Sequence, residues 1–170
     1  MQETSVNIKE PGLNTLPPGV ERYTVNGGGL TGIQILPDDE IEIINNEGNQ
    51  ICEITVFNKE GRPEPSILNL KENKEASEIK SILSKKDESS LIALRQLKKR
   101  NLDISKSKAS IVFDKDTGWG ERVKIKSKDK CYCIFAAPGA EMLIHEQNPP
   151  TDLTIFVKRA KITKDKEHHV

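Results

Sequence analysis

Short runs of alternating apolar and polar residues, separated by turn residues, constrain this chain more than any other feature. The clearest is "RVKIKS" at Arg122–Ser127, with Val123 and Ile125 on one side and Arg122, Lys124 and Lys126 on the other. A period of two sends successive side chains to opposite faces, so the matching element is a half-buried strand. Tyr23 and Val25 alternate in the same way, and Ile33 and Ile35 resume the pattern after Gly27, Gly28 and Gly29. The run "IEIINNEGNQICEITVFN" reads as two strands, Ile41–Ile44 and Ile51–Phe57. Asn45, Asn46 and Gly48 supply a hairpin turn between them. Further strands are expected at Ser107–Phe113, in "KCYCIFAAP" and at Leu153–Ala160.

The middle of the chain changes period. "KEGRPEPSILNLKEN" reads as a loop with two prolines, and residues 74–101 read as helical. Ile79, Ile82 and Leu83 recur at helical spacing, and Leu91, Leu94 and Leu97 form one stripe. Ser89 or Ser90 suits the cap of the second piece, and Lys98, Lys99 and Arg100 suit its C-terminus. These are two short amphipathic helices, or one broken near Asp87. The expected fold is mainly β (α+β): an antiparallel barrel or sandwich of about seven or eight strands, with a helical insert at 74–101 across one end. Residues 1–21 form an extended arm, 22–160 a single β-rich domain and 161–170 a polar tail.

Composition limits the partners. Lys plus Arg and Asp plus Glu number 26 each, so net charge gives no case for nucleic acid or an anionic membrane. No apolar run reaches the roughly 18 residues of a membrane span. The start "MQETSVNIKE" has no apolar signal core, which makes a cytoplasmic location the expectation. Three cysteines are a poor disulfide framework.

Several segments invite chemistry. Cys131 and Cys133, with Cys52 and His145, hold enough donors for zinc. On a strand, however, Cys131 and Cys133 sit roughly 6–7 Å apart on one face, too wide for one tetrahedral ion without a bend. Cysteine is also a common buried residue, and a buried strand ending at Pro138 and Gly139 is the preferred reading. A thiol nucleophile would need His145 beside a cysteine. "VNGGGLTG" has backbone amides that could cradle a phosphate, but no helix follows it, and a wide turn fits better. The acidic groups at Asp38–Glu40 and Asp114–Asp116 fall at turns and read as solvated. Trp119, between two glycines in "DKDTGWGE", is either an exposed anchor for a ligand or partner or, preferably, folded back over the end of the sheets. Arg159, at the end of the last strand, is suited to pair with a buried carboxylate whose identity the sequence leaves open.

Three segments in order, "RYTVNGGGLTGIQILPDDEIEIINNEGNQICEITVFN", "CIFAAPGAEM" and "NPPTDLTIFVKRA", resemble the β-rich urea-carboxylase-associated domain. The likeness is to the version at the N-terminus of long aminomethyltransferase-like and trimethylamine-N-oxide demethylase-like proteins, and it covers roughly residues 20–160. Gly48 and Gln50 resemble that family's strand turn, and Glu53 stands where catalytic-type relatives tend to carry Asp. The family's later cysteine and His-Asp segments are not recognisable here, so its zinc site does not carry over. The resemblance implies a non-catalytic domain or subunit supporting a one-carbon or methylamine-metabolising enzyme. Its partner is a catalytic, folate-binding module or a second copy, and tetrahydrofolate enters only through that module. Two alternatives remain: a small metal- or thiol-dependent hydrolase or deiminase using Cys52, Cys131, Cys133 and His145, and a barrel that binds a small ligand near Trp119.

Overall fold

The computed structural model describes residues 16–72, 88–102, 109–139 and 149–161. They form two four-stranded antiparallel sheets packed face to face. The strands are β1 (Val20–Val25), β2 (Leu30–Ile35), β3 (Glu40–Asn45), β4 (Cys52–Asn58), β5 (Ser110–Phe113), β6 (Arg122–Lys126), β7 (Cys131–Ala136) and β8 (Leu153–Lys158). The first sheet runs β1-β8-β3-β6 and the second β2-β7-β4-β5. The sheets do not close into a barrel, so the expected mainly-β fold takes its sandwich form.

Alternation explains the first sheet. Ile41 on β3 lies between Ile125 of β6 and Val157 of β8, and Ile43 lies between Val123 and Ile155. These side chains point into the space between the sheets, where they meet Ile33 and Ile35 of β2, Ile54 and Val56 of β4, and Phe135 of β7. Each fully buried residue of this kind stabilises the fold by roughly 1.5–3 kcal/mol. The core is aliphatic because the chain has few aromatics to offer, 4% in all.

The expected hairpin between Ile41–Ile44 and Ile51–Phe57 does not form. β3 pairs with β6 and β8, while β4 pairs with β5 and β7 in the other sheet. The connection at 46–51 therefore crosses the sandwich. Its geometry is fixed by Asn45 Nδ2, which donates to the Gln50 carbonyl at 2.8 Å, and by Gly48 at φ +78°. Turn residues signalled a reversal correctly, but they do not say whether the next strand returns to the same sheet.

One α-helix, α1 (Glu88–Lys99), lies among the described residues. It packs on the outer face of the second sheet rather than across an end. Leu97 and Ala93 face Phe57, Ile134 and Ala136. Leu91 and Leu94 are exposed, so the buried stripe runs Ala93–Leu97 at i, i+4 instead of Leu91–Leu94–Leu97. Lys98 and Lys99 do occupy the last turn, where they complement the helix dipole. Ser89 and Ser90 lie within the described span of the helix, Glu88–Lys99. Residues 73–87, which carry the expected first helical piece with Ile79, Ile82 and Leu83, are outside the described residues.

The proline-rich stretch before the helix is more than a loop. Pro65–Leu68 forms a 3-10 turn, and its Ile67 and Leu68 enter the core between the sheets. At the other end of the domain β1 begins at Val20, two residues inside the expected arm, and the last described residue is Lys161. Among the described residues no helix is long and apolar enough to cross a membrane.

Candidate functional site

The cysteines divide. Cys131 and Cys133 alternate inward from β7, and their Sγ atoms lie 3.6 Å apart. That corrects the expected separation of sulfurs on one strand face, because the side chains lean toward each other while their Cα atoms keep strand spacing. Two thiolates on one tetrahedral zinc sit roughly 3.8 Å apart, so the pair alone has suitable spacing. Cys52 is not near them. Val56 is opposite Cys133 across β4 and β7, which leaves Cys52 four positions further along, about 13 Å away. His145 lies outside the described residues. Among the described residues no three His, Cys, Asp or Glu side chains converge to hold a metal.

All three thiols are free and buried. Burial pushes the Cys52 thiol well above its usual range, with a smaller push from the Glu53 carboxylate. In the pair, the hydrogen bond from Cys133 holds Cys131 below the usual thiol range, against the desolvation that opposes it. Burial, and then Cys131 itself, drive Cys133 well above that range. Cys131 is therefore the thiol of the pair that ionises first. Ser127 Oγ, 3.8 Å from Cys131 Sγ, adds a weak polar contact.

The triple glycine is a packing junction. Each of its amides is already committed: Gly27 N donates to Asp152 Oδ1 at 2.8 Å, Gly28 N to the Ala137 carbonyl at 2.7 Å and Gly29 N to the Asn26 carbonyl at 2.8 Å. No donor of the triplet remains for a phosphate. A Cβ on Gly27 would lie 2.3 Å from the Pro150 carbonyl oxygen, so the close approach of the 149–151 segment requires glycine there. Gln50 completes this junction from the core. Its Oε1 accepts from Thr151 N at 2.7 Å, and its Nε2 donates to the carbonyls of Ile51 and Pro138. The three segments that carry the family resemblance meet around this side chain.

Arg159 finds its partner in Asp39. Nη1 of Arg159 lies 2.7 Å from Asp39 Oδ2, and the Asp39 side chain is 1% exposed. Asp39 also accepts from Leu36 N and Ala160 N. The reading of Asp39 as a solvated turn residue is thus overturned: a carboxylate this deep needs a cation and hydrogen bonds to remain charged. The guanidinium also binds Glu21 of β1 through Nε and Nη2, and donates to the Gln34 carbonyl of β2. Arg159 therefore ties the two sheets together at one edge. The hydrogen bond from Arg159 holds the Glu21 carboxyl below its usual value. The other acidic group does behave as a turn, with Asp114 Oδ1 accepting from Asp116 N.

Trp119 does not fold back. It is 83% exposed, the most exposed of the large apolar side chains among the described residues. Its backbone, in contrast, is tightly held. Gly120 N donates to the Asn45 carbonyl, Asn45 N to the Glu121 carbonyl and Asn49 N to the Thr117 carbonyl. A Cβ on Gly48 would lie 2.8 Å from Trp119 N, so the β3–β4 crossover is pressed directly against this loop. An aromatic ring presented to solvent on a fixed backbone loses little entropy when it is covered, which suits a contact anchor. The sequence showed the residue and its flanking glycines but not the clamp, which depends on pairing between segments far apart in the chain.

No family model matches the chain. Among curated proteins, the trimethylamine-oxide aldolase of Ruegeria pomeroyi is 33% identical over 154 residues, covering 90% of this chain. The chain spans only 19% of the length of that relative.

Proposed function

We propose that this chain is a non-catalytic β-rich domain, or separately encoded subunit, of a methylamine-metabolising, aminomethyltransferase-like enzyme. The observation that carries this reading is the lopsided match: nine-tenths of the chain aligns with less than a fifth of a relative named for its action on trimethylamine oxide. A segment of that size is one domain of a longer protein. The geometry supports a packing role. At the junction of the three resembling segments the Gln50 carboxamide, Asp152 Oδ1 and the backbone amides of the triple glycine are spent on structure, and Gln50, Asp152 and Gly28 bridge from one segment to another. Trp119, the most exposed large apolar side chain among the described residues, is the group best placed to meet a partner. In this reading the catalytic and folate-binding work, and tetrahydrofolate with it, belong to the partner module, and Trp119 packs against that module.

Nuclear magnetic resonance of trimethylamine oxide incubated with the purified chain tests the non-catalytic part. The substrate signal is expected to persist unchanged over hours at micromolar protein. Conversion at a rate comparable to that of the Ruegeria pomeroyi aldolase would sink the reading.

A further inference from the structure

The outer face of the second sheet carries a small cleft at the C-terminal end of α1, apart from the glycine junction and the Trp119 loop. It has a volume of about 230 Å³ and is lined by Gln34, Asn58, Lys59, Arg100, Lys130 and Tyr132, among others. The floor is built by an exchange between neighbouring strands. Gly32 of β2 has no side chain, and a Cβ there would lie 2.1 Å from the Tyr132 hydroxyl. Glycine inside a strand weakens it, and here the missing side chain lets the Tyr132 ring lie across β2. The Arg100 guanidinium then sits over that ring, 4.5 Å from its centroid. A guanidinium over a ring face is held by the negative charge of that face and keeps its planar set of N–H donors for other partners.

The charge around this platform is one-sided. Lys59 enters from the end of β4 and Lys130 from the turn before β7, and among the described residues no Asp or Glu lines the cleft. Among the described residues Lys59, Arg100 and Lys130 form no ion pair. Asp129, next to Lys130, has its Oδ1 occupied by the Lys130 backbone N–H at 2.7 Å. Asn58 Oδ1 accepts from Glu60 N and Arg62 N, which leaves the carboxamide N–H₂ as the end free to donate. The cleft thus gathers three cations and an amide donor around a space of small-molecule size. In a chain of zero net charge this local excess is not a by-product of overall basicity.

The geometry points to a binding site for a small oxyanion, a phosphate or carboxylate group, held by Arg100, Lys130 and Lys59 on the Tyr132 platform. The site is independent of the packing role above and does not stand or fall with it. Titration of the ¹⁵N-labelled chain with inorganic phosphate and, separately, with succinate tests it, at ionic strength kept constant with sodium chloride. Saturable amide shifts at Asn58–Gly61, Arg100 and Lys130–Tyr132 are expected with at least one of the two anions, and which anion saturates identifies the preferred group. Lys130→Gln and Arg100→Gln should each weaken that binding roughly tenfold, the usual cost of losing one hydrogen bond to a charged group. Lys124→Gln, on the other sheet, should leave it unchanged. Shifts that never saturate with either anion, or that are the same in Lys130→Gln as in the parent, would overturn the assignment.

Discussion

The two sheets of this sandwich share one core but differ on their outer faces. Among the described residues no helix packs on the outside of the first sheet. Glu42 of β3 pairs with Arg122 and Lys124 of β6, and those two cations are 62% and 67% exposed. The second sheet is covered by α1, and its outer face buries Phe57, Ile134 and Ala136 as well as the polar side chains of Glu53 and Thr55. β4 is accordingly buried at all but its last position, whereas β3 alternates. A sheet with one wet face keeps the period-two signature, and a sheet with both faces covered loses it. The difference sets where the molecule tolerates change.

The largest contrast is expected between substitutions on the two outer faces. Phe57→Ala, under the helix, should cost about 3–5 kcal/mol in a urea titration, since it empties a fully buried site. A loss below about 1 kcal/mol would mean that α1 does not seal that face. Arg159→Ala acts at the edge where both sheets meet and should be of similar size, about 3–5 kcal/mol, because it strands the buried Asp39 carboxylate. Arg159→Lys should recover only part of this, since one ammonium cannot replace the fork that reaches Asp39, Glu21 and Gln34.

A smaller effect follows from pH. Arg159 lowers the Glu21 pKa in the folded state, so the unfolded chain binds a proton there at higher pH than the folded one does. The stability from this pair is fully present above the ordinary glutamate value of about 4.3 and is lost as pH falls through the lowered folded value. Chemical denaturation between pH 6 and about 3 should show a flatter acid limb in Glu21→Gln than in the parent, and identical slopes would contradict the pairing. The smallest effect belongs to the exposed pair on the first sheet: Lys124→Ala should change stability by no more than about 0.5 kcal/mol.

The same contrast explains what could be read from the sequence. Alternation announced strands in both sheets, "RVKIKS" in the first and Ile33 and Ile35 in the second, and β4 was legible as an apolar run after a turn. Strand partners were less legible. The β3–β4 crossover was taken for a hairpin because Asn45, Asn46 and Gly48 mark a turn in either case. The helix was recognised, but its buried stripe was misplaced, since exposed Leu91 and Leu94 are as apolar as buried Leu97. At the sites, Arg159 was legible as a buried pair member, and Asp39 was not, because the Pro37-Asp38-Asp39 run has the composition of a solvated turn. The closeness of Cys131 and Cys133 depends on side-chain lean, and the clamp under Trp119 depends on strands far apart in sequence. Neither leaves a local pattern.

The central claim is that this chain is a supporting domain of a larger enzyme, and replacing a domain tests it most directly. The matching segment of the Ruegeria pomeroyi trimethylamine-oxide aldolase can be deleted and this chain fused in its place, with and without Trp119→Ala. Deletion should abolish turnover of trimethylamine oxide, fusion should restore a substantial part of it, and the Trp119→Ala fusion should assemble less well. A deletion as active as the intact aldolase, or a folded fusion as inactive as the deletion, would contradict the account.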